Sequence, residues 1–215
     1  MKLLLENWRG YLNEAKEKIY SFDFDSTLIK YIPNPDDDSD LIYGGPHEEN
    51  IQLVKGLVAQ GNKVIIVTSR THPDKLKTDI KWPNQPDIPG PEELVNKGAP
   101  IYKKSSLGEY EVVGRLSVPI KPEDIHYTNG NFKAETLKSL NVSEHWDDDE
   151  EEIQEIRRLL PNVKAHLVPT PEGVTEGLYS KWVKSLKESG VEVTPKVKKY
   201  LDSHPYMEPN ALQDA

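Results

Sequence analysis

The run Val64-Ile65-Ile66-Val67 is apolar and β-branched at every position, with Lys63 before it and Thr68-Ser69-Arg70 after it. A strand with one wet face alternates polar and apolar residues. A strand without alternation is buried on both faces and needs a layer of structure on each side. The run therefore asks for a central strand of a parallel sheet, and the surrounding pattern agrees. Residues 47–60 place Ile51, Val54, Leu57 and Val58 at helical spacing and stop at Gly61. Lys18 to Phe22 reads as a strand ending at an acidic cluster, and Asp124 to Tyr127 as another, closed by Thr128-Asn129-Gly130. A helix over 133–140 follows, then a short strand from Glu144 to Trp146, a helix over 150–160 and a strand over 163–168. Repeated strand–helix units of this kind predict an α/β fold, a doubly wound, Rossmann-like parallel sheet.

Three stretches fall outside the alternation. Residues 30–46, rich in Pro, Asp and Gly, read as a loop or flap, and residues 71–122 as an insertion. Within the insertion, 82–122 carries Pro83, Pro86, Pro89 and Pro91 and then a hairpin from Tyr110 to Val118. Residues 170–215 read as a helical extension: Leu178, Trp182 and Leu186 share one face, and Thr194-Pro195 opens a second helix. The expected organisation is an N-terminal helical segment (1–17), a core over 18–169 and the extension over 170–215.

Composition narrows the function classes. With 27 Lys plus Arg against 36 Asp plus Glu, the net charge is −9, which disfavours charge-driven nucleic-acid binding. The absence of Cys removes disulfides, thiolate metal sites and a Cys nucleophile. No apolar run approaches the roughly 20 residues of a membrane span, and Met1 to Glu6 stops being apolar too early for a secretory signal. The expectation is a soluble, cytoplasmic protein.

In a doubly wound sheet, ligands bind beyond the carboxyl ends of the strands. There the first strand ends in Asp23 and Asp25, the second in Thr68, and the fourth in Asp147 and Asp148, while Lys133 opens the helix between the third and fourth. Carboxylates gathered from distant parts of a chain repel one another unless a cation sits among them. Oxygen-only ligands select a hard ion such as Mg²⁺. A hydroxyl and an ammonium beside it suit the outer oxygens of a phosphoryl group, a set that phosphoryl transfer to an aspartate requires.

The same residues carry a resemblance. Asp23-Phe24-Asp25-Ser26-Thr27-Leu28 after an apolar strand resembles the first motif of the haloacid dehalogenase (HAD) superfamily. Val64 to Thr68 resembles its second motif, Lys133 in Phe132-Lys133-Ala134-Glu135 its third, and Trp146-Asp147-Asp148 its fourth. The similarity spans residues 18–168 in the family's order, with Ser26 standing where Gly is common and a polar fourth strand. It implies an HAD-like phosphatase core in which Asp23 is the nucleophile that becomes an aspartyl phosphate. Asp25 would protonate the leaving oxygen and then take a proton from water. Thr68, Ser69 and Lys133 would bind the phosphate. Mg²⁺ would be held by the Asp23 carboxylate, the Asp25 carbonyl and an acid of the fourth motif, with Asp147 preferred as direct ligand and Asp148 behind it. The opening residues and the T-N-G-x-x-K stretch also look similar to compact phage-encoded members.

Other readings compete. Asp36, Asp38 and Asp40 alternate as in a calcium loop, but Leu41 stands where Gly is needed and His47 where Glu is, so a solvated loop is expected. Glu150, Glu151 and Glu152 read as a solvated first helical turn favoured by the helix dipole. Six Lys between 181 and 199 against Glu188 and Glu192 read as a solvated face rather than a nucleic-acid surface. None of the six His falls at metal-ligand spacing. The leading expectation is a Mg²⁺-dependent phosphomonoesterase acting on a small phosphorylated metabolite or nucleotide. Alternatives are a polynucleotide 3′-phosphatase that takes a nucleic-acid end, an interaction module that kept the fold without the chemistry, and a receiver-like signalling domain.

Overall fold

A computed structural model describes residues 18–34, 37–73, 88–105 and 109–170. The expectations for 1–17, for the extension beyond 170, for the lysine cluster and for the side chains of Asp36, Asp38 and Asp40 lie outside the described residues.

Five parallel strands form the central sheet: β1 (Ile19–Phe22), β4 (Lys63–Thr68), β7 (Ile125–Tyr127), β8 (Glu144–Asp147) and β9 (Lys164–Leu167), in the order β7-β4-β1-β8-β9. The chain steps outward from β1 to β4 to β7 and then returns to the other side of β1 for β8 and β9. The reversal falls between β1 and β8, which makes that crevice the topological switch point.

Alternation along the strands feeds both faces. Tyr20, Phe22, Val64 and Ile66 pack with Ile51, Val54 and Leu57 of helix α1 (Glu48–Ala59). Ile65 and Val67 pack on the opposite face with Ala134 and Leu137 of α3 (Ala134–Ser139) and Ile156 of α4 (Glu150–Leu159). The sheet is thus covered on both sides, as the unbroken apolar run of β4 requires. Helix α3 stops at Asn141 (φ 54), where the N–H groups of Asn141 and Val142 turn back to the carbonyls of Lys138 and Leu137.

Two segments differ from their sequence reading. Residues 30–34 and 37–46 belong to a β-hairpin rather than a loop: β2 (Ile29–Asn34) pairs antiparallel with β3 (Asp37–Pro46), with irregularities beside Tyr31 and Pro33. Tyr31, Leu41, Ile42 and Tyr43 are buried there, so the Pro and Gly that suggest a loop mark bulges in a packed hairpin. In the insertion, β6 (Tyr110–Leu116) pairs backward with β5 (Ala99–Lys104), not forward within 110–118. Helix α2 (Pro91–Lys97) precedes β5; Pro91 at its first position is a helix-start signal that the proline count obscured.

Gly98 joins α2 to β5 with φ +85, and a Cβ there would lie 3.0 Å from the backbone of Leu116 and of Ser117. Both the positive φ and the close approach exclude a side chain. Gly98→Ala should therefore lose about 1–3 kcal/mol of stability, read from the urea midpoint. An unmoved midpoint would contradict this account.

Candidate metal and phosphate centre

The backbone of Asp23 continues β1 by one residue, its N–H donating to the Trp146 carbonyl at 2.8 Å. The chain then tightens into a turn in which the Leu28 and Ile29 N–H groups both return to the Phe24 carbonyl. Ser26 sits there at φ 53, a left-handed conformation that glycine adopts more easily. The turn separates the two acids: the Asp23 carboxylate goes toward β8, the Asp25 carboxylate toward β4.

Lys133 stands at the start of α3 and is buried to 2% exposure. Its Nζ lies 2.7 Å from Asp23 Oδ1 and 2.7 Å from Asp147 Oδ2. Its backbone N–H donates to Glu152 Oε2 at 3.1 Å, which ties the start of α3 to the first turn of α4. Glu152 is therefore not a solvated acid as the sequence suggested; it is fully buried, whereas Glu150 is exposed. The N-cap of α4 is Asp149, whose side chain accepts from the N–H groups of Glu151 and Glu152.

Asp147 is fully buried and accepts from three donors: Lys133 Nζ, His145 Nε2 at 2.9 Å and the Asp149 N–H at 3.0 Å. Because a carboxylate only accepts, His145 Nε2 carries the proton. The other ring nitrogen, Nδ1, lies 2.7 Å from Ser21 Oγ on the paired strand. That contact explains the polar fourth strand, since His145 and Ser21 settle each other inside the sheet. On the other face Trp146 stacks on Phe22, their ring centres 4.6 Å apart.

Asp23, Asp147 and Asp148 each bring one carboxylate oxygen within 4.8 Å of the others, and all three are buried. Burial, together with the charges of Asp147 and Asp25, pushes the Asp23 carboxyl up to about 7 against the opposing pull of Lys133. Burial and the charges of Asp147 and Asp23 hold the Asp148 carboxyl well above the usual range. Three buried carboxylates converging beside one ammonium form an oxygen donor set of the kind a divalent cation takes, and such an ion would favour their ionised forms. The residues thus fit a hard divalent ion.

Thr68 is buried at the end of β4, and its Oγ1 accepts from the Arg70 N–H at 3.2 Å. The loop carrying Thr68 and Ser69 is stitched to the turn after β7: Thr128 N–H to the Thr68 carbonyl and Gly130 N–H to the Ser69 carbonyl, each at 2.9 Å. Asn129 and Gly130, both at positive φ, form that turn. Asp25 stands apart from the three clustered acids. Arg70 Nε donates to its Oδ2 at 2.8 Å, Arg70 Nη2 to its Oδ1 at 2.6 Å, and the Tyr31 hydroxyl to Oδ1 at 2.7 Å. Burial works against the Asp25 charge, but the Arg70 charge and these hydrogen bonds outweigh it and hold the carboxyl below its usual value.

Asp23, Lys133, Asp147 and Asp148 therefore meet, with Thr68 and Ser69 on the adjoining strand end and Asp25 turned to Arg70. Sequence reasoning missed Ser21, Tyr31, Arg70, His145 and Glu152. Ser21 had a signal, being polar within a strand otherwise too apolar to be wet; His145, in a polar strand, had none.

No protein-family model and no curated protein sequence matches the chain. Among solved structures it is similar to the N-terminal part of a Bacteroides fragilis protein, described as containing a phosphatase domain complexed with Mg. The identity is 19% and the TM-score 0.39, over 81% of this chain and 41% of that one, so this chain spans under half of that neighbour's length. Among the described residues no helix is long and apolar enough to cross a membrane.

Proposed function

We propose that the chain is a Mg²⁺-dependent phosphomonoester hydrolase that works through an aspartyl phosphate on Asp23. The observation that carries this reading is Lys133 Nζ set 2.7 Å from both Asp23 and Asp147, with Asp148 completing the acidic cluster. A site built only for stability gains little from three carboxylates and a lysine buried together. A site for moving a phosphoryl group needs all of them.

Asp23, Asp147 and Asp148 would hold the ion, joined by the Asp25 carbonyl. Mg²⁺ supplies positive charge that favours ionised Asp23 and offsets the phosphoryl oxygens. The Asp23 carboxylate attacks phosphorus as the P–O ester bond breaks, and the departing oxygen takes its proton from the protonated form of Asp25, a minor form that Asp25 must first reach by taking a proton from solvent against the pull of Arg70. Water then attacks the phosphorus of the aspartyl phosphate, Asp25 takes its proton, and the Asp23 carboxylate and inorganic phosphate are released. Lys133 and Thr68 bind the transferring oxygens, assisted by Ser69.

Residues 18–169 make up the catalytic core in this reading, and the hairpins β2–β3 and β5–β6 select the substrate. The net charge of −9 favours a small phosphorylated metabolite or nucleotide over a polymer.

The test is Mg²⁺-dependent phosphate release from p-nitrophenyl phosphate. Turnover should vanish in Asp23→Asn and fall about 10²–10⁴-fold in Asp25→Asn, which lacks the base that takes a proton from the water attacking the aspartyl phosphate. Uptake of a single phosphate without turnover would point to a receiver-like domain, and no reaction at all to a binding module. A panel of phosphate esters that includes nucleotides and 3′-phosphorylated oligonucleotides then separates the substrate classes.

A further inference from the structure

The acids around the site fall into two groups with different partners. Asp23, Asp147 and Asp148 converge within 4.8 Å, while Asp25 is absent from that cluster although only two residues from Asp23. Both of its oxygens are engaged elsewhere: Arg70 grips them in a bidentate fork, and the Tyr31 hydroxyl donates to Oδ1 at 2.7 Å. Arg70 is itself held from three sides. Its Nη1 donates to the Pro89 carbonyl at 3.2 Å, its Nη2 to Tyr31 Oη at 3.1 Å, and its guanidinium lies 4.7 Å above the Phe24 ring. Tyr31 is buried on β2 and pairs across the hairpin with Tyr43 of β3, which is also buried.

A carboxylate on a short turn beside a cation site would otherwise join the ion's ligands, since attraction to a divalent charge exceeds that of any one neutral donor. There it could not face a leaving group. We propose that Tyr31 and Arg70 are positioning residues that hold the Asp25 carboxylate away from the acidic cluster, and that Tyr31 couples its placement to the β2–β3 hairpin. This rests on the phosphomonoesterase reading, in which Asp25 serves the leaving oxygen. A positioned acid matters most where the leaving group is a poor one: an alkoxide needs its proton as the P–O bond breaks, whereas p-nitrophenolate departs without it.

The experiment compares kcat/KM for p-nitrophenyl phosphate and a primary alkyl phosphate in wild type, Tyr31→Phe and Arg70→Lys, with Mg²⁺ present. Tyr31→Phe keeps the ring and its packing, Arg70→Lys keeps the charge without the fork or the contact with Phe24, and circular dichroism checks the fold. The expected result is a loss of about tenfold on the alkyl ester in Tyr31→Phe, with less than about threefold on the aryl ester, and a larger split in Arg70→Lys. A second readout needs no turnover. In the metal-free protein the Arg70 Nε–H proton should exchange slowly by NMR and shift in Tyr31→Phe. Equal losses on both esters, no loss on either, or a fast-exchanging, unshifted Arg70 signal each overturn the inference while leaving the phosphatase reading in place. A wild type that turns over neither ester overturns both.

Discussion

Replacing Lys133 with methionine should lower the melting temperature at pH 8 by about 10 °C. The estimate comes from about 3–5 kcal/mol for removing one partner of a buried ion pair and about 2–4 °C per kcal/mol for a protein of this size. Methionine fills the space of the lysine stem, so packing changes little; what disappears is the charge 2.7 Å from Asp23 and from Asp147. Those carboxylates are then left buried and like-charged, and the folded protein recovers part of the loss by binding protons. The penalty should consequently be smaller at pH 5 than at pH 8. Thermal melts of wild type and Lys133→Met in EDTA at the two pH values check it. A variant melting within about 2 °C of wild type at pH 8 would mean that Lys133 does not bind these acids together.

Removing the metal should make stability fall as pH rises. The Asp23 carboxyl, ordinarily near 3.8, is pushed up to about 7 in the fold. The folded protein therefore holds this proton more tightly than the unfolded chain does. Its contribution is complete below about pH 4 and is lost as pH rises through 7, at up to about 1.4 kcal/mol per pH unit. Asp148, also raised, loses its contribution in the same direction as pH rises. Asp25 runs the other way, but its depressed value makes its contribution already complete well below neutrality. His47 and His126, held low mainly by burial, lose their contribution as pH falls below 6.5 and so act on the acid side only.

Between pH 6.5 and 8.5 the melting temperature in EDTA should thus decline. Mg²⁺ should raise it, and by more at pH 8.5 than at 6.5, because the ion binds the ionised acids. Asp23→Asn should melt above wild type in EDTA at pH 8.5, respond less to Mg²⁺ and show no turnover. A metal-free profile that is flat across this range, or a Mg²⁺ effect equal at both ends, would count against the charge balance drawn for the site. The pairing of lost activity with gained stability marks an acidic cluster kept for chemistry rather than for folding.

Much of the layout was legible from local pattern. The unbroken Val64–Val67 run demanded two covered faces, and the helical spacing of Ile51, Val54 and Leu57 supplied one of the covers. The acids at strand ends were legible for the same reason: strand periodicity is local, and a strand's last residue points to one edge of any parallel sheet. The two hairpins were not, because their strands are interrupted by Pro33, Gly44 and Pro100 and paired with partners chosen by packing.

The primary structure by itself determined a doubly wound α/β core and put Asp23, Asp25, Thr68, Lys133, Asp147 and Asp148 at its carboxyl edge. Tertiary structure decided which of these touch. It set Lys133 between Asp23 and Asp147, buried His145 against Ser21 and Glu152 against the start of α3, and gave Asp25 to Arg70 and Tyr31. The reason is physical. Hydrophobic periodicity is written along neighbouring residues, but a buried charge finds its partner through space, and Tyr31, Arg70 and Glu152 came within reach only once the sheet had closed over its helices.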